Sequence, residues 1–139
     1  MVEPANELKI KHLEFIQAAI GRMATNSFIY KGWSLSVFAA LTGVAVVQNQ
    51  TALLFIAILT TVLFWGLDGY YLWLERGFVR LHQLVAATPE NKIDFSMAID
   101  KSHGLRNWAR TCLRPHLIAF YVAIAAAEGA AIAAIGNCD

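Results

Sequence analysis

The chain has 139 residues, of which 58% are hydrophobic and only 15% are charged. Soluble domains average about 25% charged residues, and a chain this short buries only a modest share of its surface on folding. The composition therefore excludes an ordinary soluble monomer and indicates a protein surrounded by lipid. The formal net charge is only +1, but the basic residues are distributed very unevenly along the chain.

Three apolar stretches are predicted to be transmembrane helices. They cover residues 27–47, 52–74 and 117–135, and each approaches the ~20 residues that cross a hydrocarbon layer. Spanning segments must satisfy their backbone hydrogen bonds internally, so the predicted fold is all-α. The chain is expected to form a single membrane domain, with a cytoplasmic link over residues 75–114 between the second and third spans.

The basic residues predict the orientation. All 11 of them precede the first span, lie at its edge or belong to the link, whereas the turn at residues 48–51 and the tail after residue 135 have none. The positive-inside rule then predicts a bacterial inner-membrane protein with a cytoplasmic N-terminus and an external C-terminus. Cys112 and Cys138 would lie on opposite sides of the membrane, so no disulfide within the chain is expected.

The segments outside the spans have helical periodicity. Leu13, Ile16, Ile20 and Met23 recur at helical spacing and predict an N-terminal amphipathic cytoplasmic helix, which begins near Asn6. The second span is expected to continue as a helix until the sequence Thr-Pro at residues 88–89 stops it. Pro115 is expected to open the third span, because proline is favoured in the first turn of a helix.

Two carboxyl groups lie within the predicted spans. A charged carboxyl in a membrane costs several kcal/mol unless it is paired or faces water. Glu128 lies eleven residues after Leu117, which places it ~16 Å into the layer. It is a candidate for lining a pore or binding a proton or ion, or alternatively for joining helices through a hydrogen bond. Asp68 has the same two interpretations, and a structural ion pair with Lys31 or Arg76 is the favoured one.

Small residues are concentrated in the third span. They form two ladders with a repeat of four residues, Ala125, Gly129 and Ala133 in one and Ala126, Ala130 and Ala134 in the other. Such faces let helices approach each other closely in lipid. Because this face is wider than two neighbouring helices require, it predicts a homo-oligomer, in which Glu128 would recur as a ring. Rings of carboxylates make pores prefer cations.

The remaining polar residues indicate no catalytic chemistry. Arg106, Arg110 and Arg114 recur at helical spacing and favour contact with anionic lipid headgroups, or alternatively with a nucleotide or another anionic signal. No two of the four histidines lie four residues apart, the spacing of a metal-binding pair on a helix. No phosphate-binding loop, nucleophile motif or metal-ligand spacing is present, so neither an enzyme nor a cofactor is predicted, and no nucleic-acid partner is expected.

Two sequence blocks resemble a family of small bacterial multi-span membrane proteins. The blocks are ELKIKHLEFIQAAIGRMATNSFIYKGW at residues 7–33 and FWGLDGYYLWLERGFVRL at residues 64–81. The resemblance implies an association with bacterial stress or antiphage systems, in which small membrane proteins act as membrane-damaging effectors. It also singles out a set of positions: Glu14, Gln17, Arg22, Asn26, Lys31, Trp33, Asp68, Tyr70, Glu75 and Arg76.

Several of these positions are expected to lie at one depth. Arg22, Asn26 and Lys31 flank the inner end of the first span, and Glu75 and Arg76 follow the inner end of the second. Because the two spans are joined by four residues, they should run antiparallel and bring these side chains together. The sequence predicts a polar belt at the inner interface that holds the two helices together.

The leading functional prediction is a small inner-membrane protein that assembles into a homo-oligomeric pore or another membrane-perturbing effector. A non-conducting membrane anchor or regulatory subunit of a larger complex is the alternative, and its cytoplasmic helices would receive a signalling protein or a ligand. A cation- or proton-coupled transporter with Glu128 as the carrier is a third possibility. The absence of an inverted repeat in the sequence disfavours it.

Overall fold

A computed structural model of the protein describes residues 4–100 and 104–136. Within these residues the chain is all-α, with the helices α1 (Pro4–Gln48), α2 (Thr51–Ala87), α3 (Gly104–Cys112) and α4 (Pro115–Gly136), and one 3-10 turn at Glu90–Lys92. Three of the helices, α1, α2 and α4, are long and apolar enough to cross a membrane. Lys101, His103 and Cys138 lie outside the described residues.

The helices α1 and α2 form a long antiparallel hairpin. With 45 residues α1 is about 68 Å long, and with 37 residues α2 is about 56 Å long. Both lengths exceed a hydrocarbon layer of ~30 Å, so both helices extend well beyond their apolar parts. We call the end at which α1 begins and α2 finishes the basic end, and the end at Asn49 the turn end.

The tight connection at the turn end explains the antiparallel pairing. Asn49 has a positive φ of 52°, a conformation that asparagine tolerates better than most residues. The Gln50 N–H donates to the Ala45 carbonyl at 2.9 Å, and the Asn49 N–H donates to the Val46 carbonyl at 3.4 Å. This pair of hydrogen bonds is the Schellman arrangement that terminates helices at a left-handed residue.

The N-terminal segment is not a separate amphipathic helix, and this prediction needs correction. It forms the first turns of α1, which continues without interruption through the first span. The buried positions His12, Ile16, Ser27, Ser34 and Ala45 lie on one continuous helical face. The partner helix α2 extends beside α1 at the basic end, so the N-terminal stripe packs against α2 and has no reason to diverge. Over its full length α1 is not clearly amphipathic, because its second half is apolar on all sides.

The third spanning helix packs its large residues into the hairpin. Leu117, Tyr121 and Ile124 form a buried cluster, against which Phe38 and Phe64 pack. Near the turn end a second cluster joins one residue from each spanning helix, Ala45, Leu54 and Ile135. The helix α4 therefore runs parallel to α1 and antiparallel to α2, and it begins at Pro115 as predicted.

The link between α2 and α4 folds back onto α2. The predicted helix stop is confirmed, because α2 ends at Ala87. The Trp108 indole N–H donates to the Gly66 carbonyl and the Trp65 indole N–H donates to the Cys112 carbonyl, both at 3.0 Å. These two hydrogen bonds fix α3 across α2, and the absence of a side chain at Gly69 allows Cys112 to approach the α2 backbone closely.

Candidate functional site

The carboxyl group of Asp68 is the centre of a polar cluster inside the bundle. Asp68 is fully buried on α2, and the Lys31 Nζ on α1 lies 2.5 Å from its Oδ2. The Ser27 hydroxyl donates to Oδ1, and the Tyr121 hydroxyl on α4 lies at 3.3 Å from Oδ2. The cluster therefore joins all three spanning helices around one carboxylate.

The Lys31 ammonium group has a second contact that fixes its position. It donates to the Ser27 Oγ at 3.0 Å, one turn earlier on the same helix. Buried charges are retained in low-dielectric surroundings when they are paired and their remaining hydrogen-bonding capacity is used. Ser27, Lys31 and Tyr121 meet these requirements for Asp68, so the arrangement is suited to holding helices together.

Glu128 occupies a second polar position on the same bundle interior. It is fully buried on α4, and the Thr61 hydroxyl on α2 donates to its Oε1 at 2.8 Å. Thr61 precedes Asp68 by seven residues on α2, so the two carboxyls lie about 10 Å apart in depth. Within the described residues the Glu128 Oε2 has no hydrogen-bond partner, which distinguishes this carboxyl from Asp68.

Other buried hydroxyl groups lie on the same face of α1. Ser34 is almost fully buried, and neither its Oγ nor the Thr42 Oγ1 has a hydrogen-bond partner within the described residues. Ser27, Lys31, Ser34 and Thr42 share this face, which extends from the Asp68 cluster toward the turn end. The bundle interior is thus more polar than hydropathy alone suggests.

The residues of the predicted polar belt differ in how deeply they are buried. Lys31 enters the bundle and pairs with Asp68, and this is the one ion pair that the structure shows within residues 4–100 and 104–136. Asn26, Glu75 and Arg76 are half-buried, whereas Arg22 is exposed. Lys31 is therefore the belt residue whose charged group contacts the neighbouring helix α2.

The three arginines of the link lie on the segment that folds across α2 beside Gly66 and Gly69. Arg106 and Arg110 are exposed on α3, and Arg114 is exposed in the turn before α4. Arg76 of α2 lies within range of the positive charges of Arg80 and Arg114. The region where the link folds onto α2 therefore presents arginines from both α2 and the link.

The two small-residue ladders of α4 lie on its uncovered surface. Glu128 and the large residues Leu117, Tyr121, Ile124 and Ile135 face the bundle. The ladder residues are all exposed: Ala125, Ala126, Gly129, Ala130, Ala133 and Ala134. The carboxyl and the ladders consequently occupy different faces of the same helix.

Sequence reasoning missed the hydroxyl partners Ser27, Thr61 and Tyr121, and it also missed Lys9. The Lys9 Nζ donates to the carbonyls of Ala86 at 3.1 Å and Thr88 at 2.9 Å. It thereby satisfies the C-terminal end of α2, where cations are favourable. The tight turn could have predicted the contact of Lys9. In an antiparallel hairpin centred on Asn49, residues 9 and 88 lie opposite each other.

The described residues include no group of three or more histidine, cysteine, aspartate or glutamate side chains that could hold a metal ion. Comparisons with known proteins return no relative, since no family model, curated protein or solved structure matches the chain. The resemblance to a family of small bacterial membrane proteins therefore stays a prediction, and the function is argued from the geometry.

Proposed function

We propose that the protein is a small bacterial inner-membrane protein that self-assembles through α4 into a homo-oligomer and acts as a pore or membrane-perturbing effector. The observation that carries the proposal is the exposure of both small-residue ladders. The helix α4 turns Leu117, Tyr121 and Ile124 inward and leaves all six positions of the two ladders on its outer surface. None of the residues that the structure describes covers this face.

Physical chemistry in lipid favours a protein partner for such a face. Two spanning helices gain little from hydrophobicity, because lipid tails are as apolar as leucine, and they associate where small residues permit close backbone contact. Within the most apolar window of α1 only 11% of the residues are buried, and within that of α4 only 22%. Each chain therefore has ample surface for further helix contacts, and repeated identical contacts close most simply into a ring.

The burial of Glu128 affects how such an assembly could conduct. Glu128 faces α2 inside its own chain, whereas the ladders lie on the neighbouring face of α4. Ala125 lies next to the α2–α4 seam that contains Glu128. A ring built on the ladder of Ala125, Gly129 and Ala133 would thus place one Glu128 per chain at the border of each subunit contact, where a carboxyl influences cation preference.

The distribution of charge supports the inner-membrane orientation. Every basic residue in residues 4–100 and 104–136 lies toward the basic end, on the link that folds onto α2, or, for Lys31, at the inner edge of the apolar part. The positive-inside rule assigns such an end to the cytoplasm. A role as an effector in a stress or antiphage system is the part of the proposal that rests on the family resemblance.

The test is the mass of the complex in lipid nanodiscs, combined with ion flux through liposomes containing the purified protein. Gly129→Leu should shift the assembly toward monomer and abolish flux. Gly43→Leu is the matched control, because Gly43 is also an exposed glycine in a spanning helix with no neighbouring atom within 4 Å, and it should change neither quantity. A monomeric wild-type protein, or a verified oligomer without flux, would contradict the proposal of a pore.

The second candidate is a non-conducting anchor or regulatory subunit, and the long basic end favours it. The hairpin extends from the membrane as two paired helices, with Lys9 bound to the end of α2. A groove of about 250 Å³ at this end is lined by Leu84, Val85 and Ile93, among others. Such an extension suits contact with a cytoplasmic signalling protein. Co-purification of a stoichiometric partner without self-assembly would favour this candidate over the first.

The Glu128→Gln substitution separates these functions further. In a pore lined near the subunit contacts by Glu128, the substitution should change the ratio of cation to anion flux. In a non-conducting anchor it should leave partner binding unchanged. In a coupled carrier, the substitution should abolish the dependence of transport on the proton gradient. The flux measurements use the same liposome preparation, and partner binding is followed by co-purification.

A further inference from the structure

A cavity of about 110 Å³ lies between α2 and α4, beside Glu128. Thr61, Trp65 and Tyr121 contribute to its wall together with the carboxyl. The exposed side chains of Val62 and Val122 also line it, so the cavity faces the lipid at its rim. The cavity borders the buried cluster of α4, because Tyr121 belongs to that cluster and Trp65 packs against it.

The polar groups around the cavity are all engaged except one oxygen. The Trp65 indole N–H donates to the Cys112 carbonyl, and the Tyr121 hydroxyl lies at 3.3 Å from both the Phe64 carbonyl and Asp68. Thr61 donates to the Glu128 Oε1. Among the described groups that line the cavity, the Glu128 Oε2 alone is without a hydrogen-bond partner, although the side chain is fully buried. The cavity is therefore an apolar and aromatic space with one free acceptor.

These surroundings select the chemical class of an occupant. A free carboxyl oxygen calls for a hydrogen-bond donor or a cation and disfavours an anion. Hard metal ions need several oxygen ligands, and the wall offers no such set. Aromatic rings beside a carboxyl are the surroundings that organic ammonium groups favour. A dry cavity of about 150 Å³ accommodates benzene, so this smaller space suits an occupant with no more than the six non-hydrogen atoms of benzene.

We propose that the α2–α4 cavity binds a small lipophilic amine from the bilayer, with the Glu128 Oε2 as its ion-pairing partner. Without a cation beside it, Glu128 is held as the neutral acid, because a lone charge at this depth costs several kcal/mol. The amine enters as the neutral base, and its nitrogen takes the carboxyl proton. The products are an ammonium ion and a carboxylate in contact, so the net charge of the site does not change. The site is formed within one chain, and Ala125 belongs both to its wall and to the ladder of Ala125, Gly129 and Ala133.

The test uses wild-type protein in lipid nanodiscs at fixed pH and a membrane-soluble reagent, dicyclohexylcarbodiimide, which modifies protonated carboxyl groups. The amount of reagent attached to Glu128 is followed by mass spectrometry of peptides. N-methylpyrrolidine, a tertiary amine with six non-hydrogen atoms, should slow the modification at least threefold in a saturable manner. Methylcyclopentane, which has the same shape but no nitrogen, should have no such effect.

Three results would overturn the proposal. Absence of modification at Glu128 would mean that its carboxyl is not reached from the bilayer as the protonated acid. Equal slowing by the amine and by the hydrocarbon would mean that the cavity is only an apolar space. No slowing by the amine at concentrations that saturate the bilayer would mean that the carboxyl does not bind it. Because all three measurements use the wild-type chain, none depends on a variant that folds.

A pair of variants locates the effect at the cavity. Val122→Phe adds a ring at the rim, and it should reduce both the modification of Glu128 and the effect of the amine. Val44→Phe is the matched control, because Val44 is an exposed valine on α1 and lies outside the set of residues that line the cavity. Equal reaction rates in these two variants and the wild type would contradict the placement of the site.

Discussion

The Lys31 Nζ lies 2.5 Å from the Asp68 Oδ2, although the two residues come from different helices of the hairpin. Asp68 is fully buried, and Lys31 is largely so. The pair lies where the polar end of the hairpin meets its apolar part, so it sets the register of α1 against α2 at the same depth at which Tyr121 brings in α4.

Removal of one partner of this ion pair should destabilise the protein more than removal of both. Lys31→Met or Asp68→Asn alone leaves a buried group unpaired, which costs about 3–5 kcal/mol. The double variant should recover most of this loss. The measurement is thermal unfolding in detergent, with Lys92→Met, at an exposed position, as the control. Additive losses in the double variant would show that the pair makes no specific contribution.

The hydrogen bond to Glu128 should distinguish two adjacent threonines. Thr61→Val leaves the Glu128 Oε1 without its donor, which costs about 1–3 kcal/mol for a buried group. Thr60 donates only within its own helix, to the Ile56 carbonyl at 2.8 Å, so Thr60→Val should have little effect. Chemical unfolding of both variants in the same detergent tests this. Equal changes in the free energy of unfolding would exclude a contribution from the Thr61–Glu128 contact.

The close approach of α3 to α2 should depend on the glycine at position 69. A Cβ at Gly69 would overlap the Cys112 side chain, so Gly69→Ala should displace α3 and cost about 1–3 kcal/mol. Gly43→Ala is the matched control in α1, since its Cβ would meet no atom within 4 Å. Faster labelling of Cys112 by a maleimide in Gly69→Ala is the expected readout, and unchanged labelling would contradict the packing.

The modification of the Cys112 thiol should accelerate only at a higher pH than that of an exposed thiol. Burial raises the pKa of its thiol, and the charge of Asp68 adds to the effect. Because the thiolate is the reacting species, modification should be slow at neutral pH and should accelerate only above the pH at which an exposed cysteine already reacts. Rates are measured in a Cys138→Ser background with glutathione as the reference thiol. A pH profile that coincides with that of glutathione would contradict the burial of Cys112.

The parts of the fold that follow from composition could be predicted from the sequence. The spans over residues 27–47, 52–74 and 117–135 are confirmed as parts of α1, α2 and α4, because long apolar segments admit few other structures in lipid. The continuity of α1 could not be read from its N-terminal stripe. The same stripe would also fit a separate amphipathic helix on the membrane surface. In the structure it packs against the part of α2 that extends toward the basic end.

The candidate site was less accessible to sequence reasoning. The depth of Asp68 allowed both Lys31 and Arg76 as partners, and the register of the hairpin decides between them. Whether Glu128 is buried in the bundle depends on the face of α4 on which it lies, and its depth in the membrane does not decide this. Leu117, Tyr121 and Ile124 share that face, and their size directs it toward the bundle, whereas the small residues of the ladders drew attention to the uncovered surface beside it.

The most direct test of the account is the position of the two hairpin ends relative to the membrane. Single cysteines at Gln50 and Lys92, both exposed, are introduced into a chain with both natural cysteines replaced by serine. Intact bacterial cells with a permeable outer membrane are then treated with a membrane-impermeant maleimide. The account predicts labelling at position 50 in intact cells and labelling at position 92 only after lysis. Labelling of position 92 in intact cells, or of both positions only after lysis, would contradict a three-span protein whose basic end faces the cytoplasm.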